Sequence, residues 1–300
     1  MSNQIRAGYF RAYVIDDQLV IDRQSGGFFA DCSVRLHNIV SFFNMNKRLP
    51  GHVDSSQLFN RYKYDGDSDI TQQFFACNDI EFDWESKVQY VHSSQYSLYE
   101  NLPTQSIAPF IKKYFKPVDQ IQQIAQHIQD QYNVQQQTAH YKNACAVLHR
   151  GTDKAKETEI PSIESIHDQM RKVRDLNKDV IFIIQSDCAE FLNITKKTFP
   201  DHHICFDEHI RSVGNSETDQ VWKSVDLQPD AGKDMPRLQE NNIFIKKYLA
   251  ITTILAKCNY LICETGNCAA WLLFYRNNIN NVMQFQGRWK REPVGWYSNI

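Results

Sequence analysis

The stretch Asn143–Asp187, "NACAVLHRGTDKAKETEIPSIESIHDQMRKVRDLNKDVIFIIQSD", decides the fold. It opens with an apolar run, "NACAVLHR", that predicts a buried strand. It continues through a charged loop into "PSIESIHDQMRKVRDLN", an amphipathic helix with Pro161 at its first turn, where a missing N–H costs little. The run "VIFIIQ" then predicts a second strand. Strand, crossover helix and strand in this order predict a parallel sheet.

The alternation persists downstream. "CAEFLNITKKTF" reads as a helix, "HHICF" as a strand, "RLQENNIFIKKYLAITTILAKC" as a long helix and "NYLIC" as a strand; a turn "ETGN", a helix "CAAWLLFYRN" and a strand "NVMQF" follow. The second half is therefore expected to be a parallel sheet with helices on both faces. The polar segment Asp207–Asp234 is too long for a routine connection and reads as a binding loop.

The first 115 or so residues are less regular. "QLVIDRQ" and "KVQYVH" read as strands, and "SGGFFADCSVRLHNIVSFFNMN" as a glycine turn opening into a helix. In "PVDQIQQIAQHIQDQYNVQQQ", Val118, Ile121, Ile124, Ala125 and Ile128 recur at helical spacing, which predicts an amphipathic helix joining two halves. The expected domains are 1–117, a linking helix 118–140, and 141–300.

Composition bounds the function. An apolar fraction of 42% and a charged fraction of 23% are those of an ordinary globular protein with sizeable cores. A formal net charge of -2 argues against a global attraction to nucleic acid or an anionic membrane. The eight cysteines form no CxxC pair, so a reducing compartment and a cytoplasmic location are expected. No segment reaches the roughly 18 apolar residues of a membrane span.

In a doubly wound sheet, loops at the carboxyl ends of the strands line the ligand crevice. Three such loops carry unusual chemistry: His149–Lys154, "QSD" with Ser186 and Asp187, and "CETGN" from Cys263 to Asn267. Arg150 can grip phosphate oxygens with two prongs, and Lys154 adds a second cation. Gly266 permits close backbone approach, and a helix opening near Asn267 presents N–H groups to the same anion. Asp187 can accept hydrogen bonds from a base or a ribose. A nucleotide diphosphate is the ligand these groups suit, with no metal needed to neutralise it. Read blandly, Arg150 and Asp153 form a surface pair, and Thr265 or Asn267 caps a helix.

"HRGTDK", "FIIQSD" and "AKCNYLICETGNCAAWLLFYR" resemble the three motifs of the fucosyltransferase superfamily that includes α1,2-, α1,6- and protein O-fucosyltransferases. "SGGFFADCSVRLHNIVSFF" is similar to that family's Gly-rich first loop and helix. The resemblance implies a GT-B-like α/β fold, two Rossmann-like domains facing across a cleft, with the acceptor on the N-terminal side. It implies inverting, metal-independent transfer of fucose from GDP-fucose to a glycan or other hydroxyl acceptor, with no cofactor. By position, Arg150 resembles the arginine on the β-phosphate and Asp187 the acid near the guanine. Glu264, Thr265, Gly266, Asn267 and Cys268 resemble the segment whose backbone meets the phosphates, and Gly26 and Gly27 the glycines that close on them. One departure is visible: the family writes His, one residue, then Arg, whereas Leu148 stands in the His place and His149 abuts Arg150.

An inverting transfer needs a base for the acceptor hydroxyl and cations for the leaving diphosphate. Asp153, Glu157 and Glu159 are the local candidates for the base, with Arg150 on the leaving group. His37, among apolar neighbours, reads as a partly buried histidine. Two other classes stay open. A metal-dependent glycosyltransferase of the GT-A type would use the acidic run Asp65, Asp67 and Asp69. A non-catalytic carbohydrate-binding protein would use aromatics such as those in "GRWKREPVGWYSNI".

Overall fold

The structure is a computed structural model that describes residues 9–22, 26–63, 72–79, 87–151, 154, 158–207, 235–287 and 294–300, and of residues 235–238 the backbone only. The expected binding loop after Asp207, the Asp65–Asp69 run, and the candidates Asp153 and Glu157 lie outside the described residues.

The second half is built as its alternation predicts. Strands β6 (Ala144–His149), β7 (Ile181–Ser186), β8 (His203–Cys205), β9 (Tyr260–Glu264), β10 (Val282–Gln286) and β11 (Gly295–Ser298) form one sheet in the order β11-β10-β9-β6-β7-β8. All neighbouring pairs are parallel except β10 with β11. The order reverses direction between β6 and β9, the switch point at which doubly wound sheets open a crevice.

Both faces of the sheet are covered, which is why its strands read as continuous apolar runs. Cys145 and Val147 face one core with Ile166, Met170 and Val173 of helix α5 (Ile163–Leu176) and Phe191 of α6 (Ala189–Thr198). Ala144, Ala146 and Leu148 face the other, with Leu249 and Ile254 of α7 (Met235–Leu255) and Trp271 of α8 (Asn267–Arg276). At the start of α5, the Ser162 side chain caps the Ser165 amide, so Pro161 precedes the cap rather than occupying the first turn.

The first half docks onto the α7–α8 layer. Its described residues hold strands β1 (Ala12–Ile15), β2 (Gln18–Ile21) and β3 (His52–Asp54) in one sheet, with β1–β2 antiparallel and β2–β3 parallel, and a β4–β5 pair (Phe75–Ala76, Lys116–Pro117). A second doubly wound sheet is not among them. "KVQYVH" is no strand: residues 87–91 join no sheet, the Val88 amide and carbonyl being bonded by the Asn44 side chain, and lead into a 3-10 turn, His92–Tyr96.

Helix α1 (Phe28–Asn46) explains the docking. It buries residues on nearly every side, and so must be covered by two neighbours. Its Phe29 ring stacks on Trp271 and its Phe43 ring packs on Phe110 of α2 (Thr104–Tyr114). One apolar core therefore runs from Leu19 and Ile39 through Trp271 to Leu261. The expected linking helix is α3 (Asp119–Gln131) followed by α4 (Val134–Gln137). Its Ile121, Ala125 and Ile128, on the apolar stripe the spacing predicts, belong to that same core.

β11 was not foreseen from its mixed aromatic and charged surroundings. Trp296 there packs on Phe285 at 5.5 Å between ring centroids, and its indole N–H donates to Ser165 Oγ at 3.2 Å. That ring serves the sheet edge.

Candidate functional site

The carboxyl ends of β7, β6 and β9 are adjacent, so the three loops singled out in the sequence leave one edge. Pleating sorts their last residues: His149, paired with Ser186, follows Val147 onto the α5–α6 side, while Leu148, Gln185 and Cys263 share the other.

His149, 3% exposed, is buried against Phe191 with ring centroids 4.4 Å apart, and its Nδ1–H donates to Glu264 Oε1. Burial by itself pushes the imidazole pKa down. Hydrogen bonding to Cys188 and to Glu264, together with the charges of Glu264 and Asp187, outweighs it and pushes the pKa up to about 9. His149 is therefore an imidazolium at neutral pH.

The same Glu264 oxygen accepts the Arg150 amide at 3.3 Å. Asp187 holds the next turn: Oδ1 accepts the Gly151 amide at 2.9 Å, and Oδ2 lies 3.5 Å from Arg150 Nε. The Arg150 side chain stays 34% exposed and its Nη1 reaches Cys268 Sγ at 3.6 Å. Two buried carboxylates thus tie down the loop after β6. Gly151 is required here, because a Cβ would stand 2.7 Å from His149 Nε2 and 3.0 Å from Cys188 Cβ. Gly287 is required too: a Cβ would meet the Glu159 carbonyl at 2.4 Å, so the loop's return closes on the end of β10. Glu159 itself is exposed.

Lys154 is buried, its Nζ 5.7 Å from the centre of the Tyr96 ring. A Cβ on Gly266 would lie 3.5 Å from Lys154 Cε, an ordinary contact. The loops after β6 and β9 therefore meet at Gly266.

The turn into α8 departs from the expectation of a row of amides presented to an anion. The Thr265 amide bonds the Phe285 carbonyl at 3.0 Å, and the Gly266 amide bonds Tyr99 Oη at 2.8 Å. Tyr99 in turn donates to the Gly266 carbonyl at 3.1 Å. The amides open to an anion at this helix start begin with Asn267, one residue later. Thr265 Oγ1 bonds the Phe285 carbonyl and Gln286 Oε1, while Gln284 joins Thr265 to the Tyr99 amide. These amide and hydroxyl groups clamp residues 96–99 of the first half onto the end of the sheet.

Among the described residues, Gly26 and Gly27 are tied to the site through α1. Ser33 Oγ donates to Asn267 Oδ1 at 2.8 Å and accepts from Trp271 Nε1 at 2.9 Å, which sets the first turns of α1 against the start of α8. Gly27 has an extended conformation, φ -72°, and a Cβ there would meet nothing within 4 Å. The positive end of α1 already faces a carboxylate, since Asp31 Oδ1 accepts the Gly26 amide at 3.2 Å. His37 packs edge-on against His92 within α1's own surroundings, apart from these loops.

The structure therefore brings together His149, Arg150, Asp187 and Glu264, with Lys154 set against Gly266 and Asn267 anchored to α1. Sequence reading missed Cys188, although it directly follows "QSD", and Tyr99, for which the sequence carried no signal. Among the described residues, no group of three or more His, Cys, Asp or Glu side chains could hold a metal ion, and no helix is long and apolar enough to cross a membrane.

No family model and no curated protein matches the chain. Among solved structures it is similar to the crystal structure of NodZ α-1,6-fucosyltransferase soaked with GDP-fucose, at 12% identity over 94% of this chain and 98% of that one, with a TM-score of 0.48. A likeness of that degree says nothing of the chemistry at the site.

Proposed function

We propose that the chain is an inverting, metal-independent glycosyltransferase that transfers fucose from GDP-fucose to a glycan or other hydroxyl acceptor. The observation that carries this reading is the convergence of the loops after β6, β7 and β9 at the switch point, with Arg150 braced by Asp187 and one-third exposed. A guanidinium held by a buried carboxylate is pre-oriented, and so loses little freedom on gripping a diphosphate. The motif resemblance of "HRGTDK" and "CETGN" supports guanosine diphosphate-fucose as the donor. In this reading Arg150 and Lys154 offset charge on the leaving diphosphate, the amides from Asn267 onward meet its oxygens, and Gly26–Gly27 closes from the first half. The acceptor lies on the side of residues 1–117, and Asp153 or Glu157 takes the acceptor proton.

The test is a thermal-shift comparison of GDP, UDP and ADP. A ligand at 100 times its Kd stabilises the folded state by about 2.7 kcal/mol, enough for a clear rise in melting temperature. GDP should raise it most. If no nucleoside diphosphate moves it, the reading fails. Activity abolished by EDTA and restored by manganese would transfer the function to the metal-dependent class.

A further inference from the structure

Cys188 is the one half-buried cysteine that stands against a buried histidine at this edge. It is the N-cap of α6, at the positive end of a ten-residue helix. His149 is locked on its other side: Nδ1 is taken by Glu264, the ring lies on Phe191, and Nε2 points to the space shared by Gly151 and Cys188. A Cβ on Gly151 would lie 2.7 Å from His149 Nε2 and 3.0 Å from Cys188 Cβ, so Cys188 at the start of α6 stands beside the imidazole of β6 whose other side Glu264 of β9 holds. The other charged groups around the thiol are Asp187 beside it in the chain, Arg150 from the facing loop and Glu190 on α6. Hydrogen bonding to His149 lowers the thiol's pKa against the opposing cost of burial, with help from the amides of Phe191 and Glu190. The glycosyl transfer proposed above leaves this nucleophile unused.

We propose that Cys188, set beside His149, is a covalent-modification site that reacts with soft electrophiles, low-molecular-weight disulfides in particular. Cys188 Sγ attacks one sulfur of the disulfide. A new S–S bond forms as the old one breaks, and the departing thiolate takes up the proton that His149 held. Cys188 Sγ rises from oxidation state −2 to −1 as the departing sulfur falls from −1 to −2, so the exchange balances and no further oxidant is required. The adduct stands beside Gly151 and Asp187. On the reading given above, it also obstructs the diphosphate site.

The experiment measures, by peptide mass spectrometry, the rates at which iodoacetamide and oxidised glutathione modify each cysteine of the intact protein between pH 5.5 and 9. Cys77, which is exposed, is the internal reference, and Cys32, Cys145, Cys205, Cys258 and Cys263 are buried. An ordinary thiol is about 1% ionised at pH 6.5. Cys188 should therefore react with iodoacetamide at least about tenfold faster than Cys77 at that pH, and the ratio should shrink as pH rises through the ordinary thiol range. His149→Gln should bring Cys188 down to the Cys77 rate. The wild-type pH profile stands even if that variant fails to fold. Equal rates at pH 6.5, or a Cys188 profile parallel to that of Cys77, overturn the proposal. Failure of GDP to bind unmodified protein would instead count against the glycosyltransferase reading and leave the labelling result intact.

Discussion

Replacing His149 with Gln removes a charge that, between about pH 6.5 and about 9, the folded protein holds and the unfolded chain does not, so the consequence for stability depends on pH. An unfolded histidine titrates near 6.5, and in the fold His149 is pushed up to about 9. Because the folded pKa is raised, the imidazolium's contribution is fully present below pH 6.5 and is lost as pH rises through about 9. About 2.5 pH units at about 1.4 kcal/mol each gives on the order of 3 kcal/mol. Little discount for solvent applies, since His149 and Glu264 are 3% and 8% exposed. Against a total stability of about 5–15 kcal/mol this is large. The lost packing on Phe191 is the same at every pH and cancels in the comparison. Urea unfolding of wild type and His149→Gln at pH 6, 7, 8, 9 and 10 should show a stability difference that shrinks by about 3 kcal/mol across the series, most of it above pH 7. Glu264→Gln should flatten the wild-type profile in the same window. A difference constant to within about 0.5 kcal/mol would refute the assignment of a charged, carboxylate-held His149.

Three other substitutions probe the same edge. Arg150→Lys keeps the charge but loses the planar fork, so GDP affinity by calorimetry should fall by roughly 2 kcal/mol, about 30-fold, while the melting temperature changes little because the Arg150–Asp187 pair is partly exposed; unchanged affinity removes Arg150 from the donor site. Gly27→Val meets open space at an ordinary φ and should cost the melting temperature no more than about 2–4 °C, yet weaken GDP binding about tenfold if the α1 turn closes on the donor; wild-type affinity would assign the diphosphate wholly to the second half. Tyr99→Phe strands the buried Gly266 amide and should destabilise the fold by about 1–3 kcal/mol in denaturant unfolding; a neutral result would show that the clamp of residues 96–99 holds without that hydroxyl.

What the sequence determined by itself was the doubly wound half. Runs such as Ala144–His149 and Ile181–Ser186 are apolar on both pleated faces, and a strand buried on both faces with amphipathic helices between it and the next has few alternatives to a parallel sheet. That Arg150, Asp187 and Glu264 share one sheet edge was legible for the same reason: each directly ends or follows such a strand, and adjacent parallel strands carry their loops to the same edge. The tertiary structure alone decided what those residues touch. His149 finds its carboxylate 115 positions away, and the Gly266 amide finds its partner in Tyr99, 167 positions back. No local pattern encodes such pairs; they form because a polar group buried at the sheet edge must be satisfied by whatever the packing brings near. The first half was opaque for a related reason. Its helix α1 is apolar almost all round, so periodicity could mark it as buried but not name the second surface, and only the assembled core showed that surface to be α8.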